Sequence, residues 1–149
     1  MLYIVTIVSD RAAAISSAIK ASLVQVQSVM DQQGIAAAGD PLAILSDWTG
    51  RLVTVEAGFP VTLPVPPLAA SRVQLGATPG GLAARRKHAG PSVDHAWCHA
   101  RLADDLRATG HRLTGIAWEV YTTDPASGAV VTWLYAQLLA PPETALQEP

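Results

Sequence analysis

A carboxylate lies inside an apolar, aromatic strand pattern in the second half of the chain, at residues 115–121 (GIAWEVY). Side chains alternate between the two faces of a strand, so Glu119 and Tyr121 share one face and Trp118 lies on the other. An ionised group that is buried without a partner costs a large amount of free energy. If the Glu119 face is turned into the protein, the carboxylate therefore needs a donor or a cation. If the strand is twisted so that this face meets water, it needs neither.

A turn and a second apolar run follow this strand. Residues 122–128 (TTDPASG) are typical of a turn, because aspartate, proline and glycine favour one. Residues 129–139 form an apolar run in which Trp133 and Tyr135 are spaced as on one face of a strand. The sequence therefore predicts a β-hairpin that carries the carboxylate.

Two sets of strand and helix signals occur, one in each half of the chain. The first half predicts strands at residues 2–8, 41–46 and 51–57 and a helix at residues 22–34, with Ser22 as its cap and Gly34 as its end. The second half predicts strands at residues 72–77 and 82–89 and a helix at residues 91–110, ahead of the hairpin. Four prolines within residues 58–71 mark a connector between the halves.

This order predicts an internal duplication within one domain at residues 1–140, with pseudo-repeats at residues 1–59 and 71–139 and a mobile tail at residues 141–149. Residues 12–20 fit a helix or a strand by their own pattern, but their counterpart, residues 82–89, resembles a strand, so we predict a strand here too. The expected fold class is α+β: a duplicated strand-helix-hairpin module, forming an antiparallel sheet with two helices on one face and a central ligand cleft.

The second predicted helix has an apolar stripe and a separate group of potential metal ligands. The stripe consists of Val93, Trp97, Ala100, Ala103 and Leu106. His95, Cys98 and His99 lie within one turn, and the two histidines have a spacing that can hold a metal. No acidic residue stands at the zinc-peptidase spacing, and Cys98 lies off the stripe. We therefore expect no metal site, no cysteine nucleophile and no cofactor.

Composition excludes several classes of function. The net charge of -2 and the pI near 6.0 argue against a nucleic-acid-binding surface. The one basic run, residues 85–88 (RRKH), would be divided between two strand faces and is expected to be a solvated edge. A single cysteine excludes an intramolecular disulfide and fits a reducing compartment. With no signal-peptide pattern and no apolar run of membrane-spanning length, we expect a soluble, cytoplasmic protein that binds neither membrane nor nucleic acid directly.

Several short motifs occur in a recognisable order. The first half contains residues 47–50 (DWTG) and, after a strand, residues 58–61 (GFPV). The second contains residues 88–91 (HAGP) ahead of a helix, then residues 115–121, then Asp124 and Pro125 before an apolar strand. Over nearly the whole chain this series resembles the GyrI-like small-molecule-binding domain, also called the bacterial transcription-activator effector-binding domain.

The resemblance implies a duplicated β-rich module with a central hydrophobic pocket for lipophilic, often cationic compounds. It also implies that Glu119 faces the pocket and that aromatic residues line it. The aromatic candidates are Trp48, Phe59, Trp97, Trp118, Tyr121, Trp133 and Tyr135. Ser92 departs from the family, which commonly has an aromatic residue there, and this predicts a changed or wider pocket. Because the chain shows no DNA-binding segment, a regulatory role would require a protein partner.

An enzyme is the alternative to a binding protein. Some GyrI-like proteins resemble hydrolases of reactive small molecules, with the pocket glutamate activating water or protonating the leaving group. Burial beside Trp118 would raise the pKa of Glu119 and allow proton exchange near neutral pH. Tyr121, on the same strand face, would orient the substrate or donate to a developing oxyanion.

Overall fold

The computed structural model describes residues 1–68, 71–89 and 95–141. Within these ranges the chain forms seven strands and two helices. In chain order they are β1 (Leu2–Ser9), α1 (Ala12–Gln33), β2 (Leu42–Thr49), β3 (Leu52–Phe59), β4 (Gln74–Leu75), β5 (Ala83–Ala89), α2 (His95–Ala108), β6 (Leu113–Thr123) and β7 (Val130–Leu138). The α+β class is confirmed.

The strands form one antiparallel sheet in the order β4-β1-β3-β2-β6-β7-β5. The hairpins β2-β3 and β6-β7 meet in its middle, where β2 pairs with β6. Glu119 lies in the interior of the sheet, because its register partners are Ala43 on β2 and Leu134 on β7. The hairpin predicted around Glu119 is therefore confirmed as β6-β7.

Both helices cover the same face of the sheet. Ala43 and Glu119 are register partners, so their side chains project from one face. Ala43 packs in a buried cluster with Ile15 and Ile19 of α1, and Glu119 contacts side chains of α2. The carboxylate therefore lies between the sheet and the helix layer, and the solvated alternative is excluded.

The strand predicted at residues 12–20 is wrong. These residues form the first turns of α1, whose buried side chains Ile15, Ile19, Ser22, Val26 and Met30 recur every three or four positions. Residues 82–89 form β5, an exposed edge strand that contributes nothing to the helix layer. They are therefore not a counterpart of residues 12–20. The helix end was correct: Gly34 has φ 67° and its N–H contacts the carbonyl oxygens of the last turn.

The apolar stripe predicted for α2 is correct only in part: Leu106 packs against a buried cluster, but Trp97 and Ala100 are exposed. The buried residues of this helix are His95, His99 and Leu102, whereas the side chain of Trp97 is 58% exposed. The guanidinium of Arg101 lies over the Trp97 ring, 5.3 Å from its centroid. The pattern of hydrophobic residues predicted the wrong buried face for α2, because a carboxylate on the sheet favours histidine side chains opposite it. Val93 and the predicted start of the helix lie outside the described residues.

The strand predicted at residues 72–77 is reduced to β4, two residues paired with β1. The basic run lies on the edge strand β5, as expected, and its side chains divide between the faces. Arg86 forms a 2.7 Å ion pair with Asp105 of α2, whereas the guanidinium of Arg85 lies 4.4 Å from the centroid of the Trp133 ring. Neither helix in the described ranges has the length and apolar character needed to cross a membrane.

Substitutions on opposite faces of α1 test its assignment as one continuous helix. Ile19 is 4% exposed and Val24 is 70% exposed. We expect Ile19→Ala to lower the free energy of unfolding by roughly 2–5 kcal/mol, because it leaves a cavity in the core. Val24→Ala should leave it within about 0.5 kcal/mol. Urea denaturation followed by circular dichroism measures both; equal effects would contradict the assignment.

Candidate active and binding site

Glu119 is the centre of a buried polar cluster between β6 and α2. Its side chain is 0% exposed, although it is ionisable and stands in a strand of largely apolar residues. Three donors surround it, two from α2 and one from its own strand. His95 and His99, four positions apart on the helix, project towards β6 together, and Tyr121 projects from the same face of β6 as Glu119.

The three donors use both oxygens of the carboxylate. His95 Nδ1 lies 2.6 Å and His99 Nε2 lies 3.0 Å from Oε1 of Glu119. The hydroxyl of Tyr121 donates to Oε2 at 2.6 Å. These short contacts to an ionised acceptor are charge-assisted hydrogen bonds, which are stronger than neutral ones. The requirement for a donor opposite Glu119 is thus met by three protein groups.

The pKa of Glu119 is lowered, contrary to the prediction from sequence. Burial raises the pKa, but hydrogen bonds from His95 and His99 and the positive charge of the histidines lower it more, from 4.5 to about 2. The residues next to Glu119 in sequence desolvate it, but its histidine donors lie on α2. Glu119 is therefore ionised at neutral pH and does not exchange protons there.

The phenol of Tyr121 is held in its protonated form. Burial raises its pKa well above 10, and the adjacent charge of Glu119 and the hydrogen bond to it raise the pKa further. Since Glu119 is an acceptor only, the hydroxyl proton of Tyr121 points at the carboxylate. Tyr121 is thus a fixed donor that holds Glu119 in place.

The same reasoning assigns the proton on His99. The nitrogen that faces an ionised carboxylate must carry hydrogen, so Nε2 of His99 is the donor to Glu119. Its other nitrogen, Nδ1, is buried and has no hydrogen-bond partner within the described ranges. In the neutral ring Nδ1 carries a lone pair. A buried acceptor without a partner typically costs about 1–3 kcal/mol, so a donor from a ligand or water is favoured here.

A cavity of about 440 Å³ lies beside the cluster, between α2 and one end of the β6-β7 hairpin, and His99 lines it. Most of its wall is apolar. The apolar lining consists of five alanines with Trp48, Leu113, Gly115 and Ile116. Asp10, Asp104, Arg107 and Gln137 are the other polar residues that line it. Gly115, with φ 92°, lies at an irregularity of β6 and lines the cavity.

The aromatic candidates from the sequence do not gather around this cavity. Of them, Trp48 lines it, and Tyr121 contacts Glu119. Trp118 and Tyr135 stack at 5.0 Å between centroids on the opposite face of the sheet. Strand alternation places Trp133 on that face as well.

Two further aromatic candidates lie elsewhere. Phe59 packs against the buried cluster formed by β1 and the C-terminal half of α1. Trp97 is exposed on the outer side of α2. The site is therefore lined mainly by small aliphatic side chains, with one indole, and not by an aromatic cage.

The two histidines are the site residues that sequence reasoning missed. The spacing of His95 and His99 suggested metal ligands and no other role. A metal site of that kind also requires an acidic residue nearby in sequence, and none is present. Their actual partner is 20 or more positions away on β6. No group of three or more residues arranged to hold a metal ion occurs in the described part of the chain. One feature of the sequence could have revealed this role. It contains a pair of histidines at helical spacing and, on a predicted strand, a glutamate that needs donors.

Comparison of the sequence with models of known protein families and with curated proteins gives no match. The resemblance to GyrI-like domains therefore rests on the short motifs alone.

The lowered pKa of Glu119 predicts a loss of stability in acid. Its carboxylate has a pKa of about 2 in the folded protein and about 4.5 when unfolded, so its contribution is present above pH 4.5 and is lost as the pH falls towards 2. The shift corresponds to roughly 3 kcal/mol. We expect the free energy of unfolding to fall by about that amount more in the wild type than in Glu119→Gln across this range. Urea denaturation at several pH values measures it; parallel curves for the two proteins would contradict the lowered pKa.

Proposed function

We propose that the protein binds lipophilic small molecules, with a preference for cations, in the cavity between α2 and β6-β7. The observation that carries this proposal is the ionised, buried Glu119 directly behind the cavity wall formed by His99. A carboxylate at this depth adds negative potential to a cavity that is otherwise mostly apolar. The resemblance to GyrI-like domains, in which the pocket glutamate binds cationic compounds, supports the same proposal.

Size and lining favour a small organic ligand. Ligand pockets typically enclose roughly 300–1,000 Å³, are mainly apolar and contain a few polar groups that orient the ligand. The cavity of about 440 Å³ falls in this range. Its alanines on α2 and on the sheet make the lining mostly small and apolar, and Trp48 adds an indole ring that can pack against an apolar or cationic group.

The charges around the cavity favour a cation. Arg107 lies 3.5 Å from Asp104, so these two side chains largely offset each other. With His95 and His99 as neutral donors, Asp10 on the wall and Glu119 behind it leave an excess of negative charge. Electrostatic attraction is stronger in a low-dielectric site than in water, which gives these carboxylates influence over a bound ligand.

We also propose that the chain contains the internal duplication expected from the sequence, with a strand, a helix and a hairpin as the repeated unit. The first unit is β1, α1, β2 and β3, and the second is β5, α2, β6 and β7. In each unit the first strand pairs with the third and the third with the second, which supports the correspondence. The pairing of β2 with β6 joins the units, and a central ligand cleft would lie over this junction.

A domain of this kind acts by sequestering its ligand or by reporting it to another protein. Ligand capture requires nothing beyond the cavity. A role in transcription regulation would require a protein partner that binds DNA, because the acidic balance of this chain does not favour a phosphate backbone.

Substitution of two tryptophans tests the position of the ligand. Trp48 lines the cavity, whereas Trp97 lies outside it on the exposed side of α2. With rhodamine 6G as a lipophilic cationic probe, we expect Trp48→Ala to weaken binding about 5- to 30-fold, because a desolvated ring-cation contact contributes roughly 1–2 kcal/mol. Trp97→Ala, the matched control, should bind as the wild type does. Fluorescence titration measures both; a larger loss for Trp97→Ala would place the ligand elsewhere.

Neutralising the buried carboxylate tests the preference for cations. We expect Glu119→Gln to lower the affinity for rhodamine 6G by about tenfold or more, since the electrostatic attraction is removed. Affinity for the neutral dye Nile red should change little. Equal affinities of wild type and Glu119→Gln for rhodamine 6G, in a variant that remains folded by circular dichroism, would exclude the anchor role.

A further inference from the structure

His99 connects the buried carboxylate to the cavity. One ring nitrogen, Nε2, donates to Glu119 at 3.0 Å, and the other, Nδ1, is buried with no partner in the described part of the chain. The same ring lines the cavity. A carboxylate that fixes the donor tautomer of an imidazole leaves the opposite nitrogen as a proton acceptor, and the pair forms an oriented base.

We propose that His99, oriented by Glu119, is the general base of a hydrolytic activity towards carboxylic esters with an apolar acyl group bound in the cavity. This inference rests on the proposed binding function, because the ester must occupy the same cavity. It assigns the proton-transfer role to His99, and makes Glu119 a positioning residue.

The reaction balances with water as the only co-reactant. A water molecule hydrogen-bonded to Nδ1 attacks the carbonyl carbon of the ester, and Nδ1 takes its proton as the new carbon-oxygen bond forms. The tetrahedral intermediate then expels the alcohol as the carbon-oxygen bond to it breaks. The proton on Nδ1 passes to the departing oxygen, which returns the ring to its neutral form. The products are a carboxylic acid and an alcohol.

The other candidate groups are less suited to this step. Glu119 is ionised, is fully buried behind the histidines and does not line the cavity. The hydroxyl proton of Tyr121 is donated to Glu119. Cys98 packs against a hydrophobic cluster of α2 and the sheet and does not line the cavity. His99 is the histidine that both contacts the carboxylate and reaches the cavity wall.

The charged groups around His99 favour its role as a base. Glu119 faces it from β6, and the titratable groups that share the cavity wall or the cluster are Asp10 before α1, Asp104, Arg107 and His95 on α2, and Tyr121 on β6. Negative charge beside an imidazole stabilises the protonated ring that forms during the reaction.

The test uses turnover of p-nitrophenyl butyrate in excess over enzyme, together with rhodamine 6G titration of the same proteins. The variants are His99→Gln, Glu119→Gln and, as a matched control, His111→Gln, because His111 is exposed in the turn after α2. We expect wild type to exceed the rate of free imidazole at equal concentration. His99→Gln should lower kcat by about 100-fold or more, the usual effect of removing a general base, and this loss should exceed any loss of dye affinity. His111→Gln should retain both.

The split between kcat and KM separates a chemical role from a structural one. Glu119→Gln should lower kcat for the neutral ester with little change in KM, because the imidazole loses the group that orients it while the cavity wall is kept. This measurement supports or overturns the proposal even if His99→Gln fails to fold. Wild type no faster than imidazole, or His99→Gln as fast as wild type, would overturn the proposal. In that case, saturable binding of rhodamine 6G to wild type would show that only the hydrolysis proposal has failed. No dye binding would show that the binding proposal has failed as well.

Discussion

The burial of one negative charge is the constraint on which the site and much of the helix layer depend. Glu119 lies in the middle of a seven-stranded sheet, beneath a helix and away from water, where an ionised group without partners would be strongly destabilising. His95, His99 and Tyr121 meet this requirement with three hydrogen bonds. Their geometry fixes the rotation of α2 about its axis and its height above β6, because both histidines must reach one carboxylate oxygen.

This constraint also explains which side chains lie on each face of the sheet. The helix-covered face has small or aliphatic side chains at Ala43 and Leu134 on either side of Glu119, which leave space for the two imidazole rings. The large aromatic rings, Trp118 and Tyr135, stack on the opposite face. A cluster of rings beside Glu119 would occupy the volume that the histidines and the cavity use. The aromatic residues therefore stabilise the sheet, whereas the polar cluster gives the site its chemistry.

The charge on Glu119 determines which group can carry a proton. Burial raises its pKa, but His95 and His99 lower it more, to about 2, so at neutral pH Glu119 is a fixed negative charge. The imidazole of His99 has Nε2 directed at this charge and Nδ1 without a partner among the described residues, so it is the group of the cluster with a nitrogen left to accept a proton. A binding site uses the charge, and a hydrolytic site uses the imidazole. The two proposed activities thus draw on different atoms of one network.

The sequence alone determined the β6-β7 hairpin, the shared face of Glu119 and Tyr121, and the need of a buried carboxylate for donors, because strand alternation and the cost of burying charge are local rules. It misassigned residues 12–20, since alanine and isoleucine fit both periods and the counterpart chosen for comparison was an edge strand. Only the tertiary structure decided which helix donors meet Glu119, because the sheet register and the rotation of α2 place His95 and His99 beside a residue on the following strand, 24 and 20 positions further along the chain. The lowered pKa of Glu119 and the cavity beside His99 follow from that packing, which depends on contacts between distant segments and has no signature in any one of them.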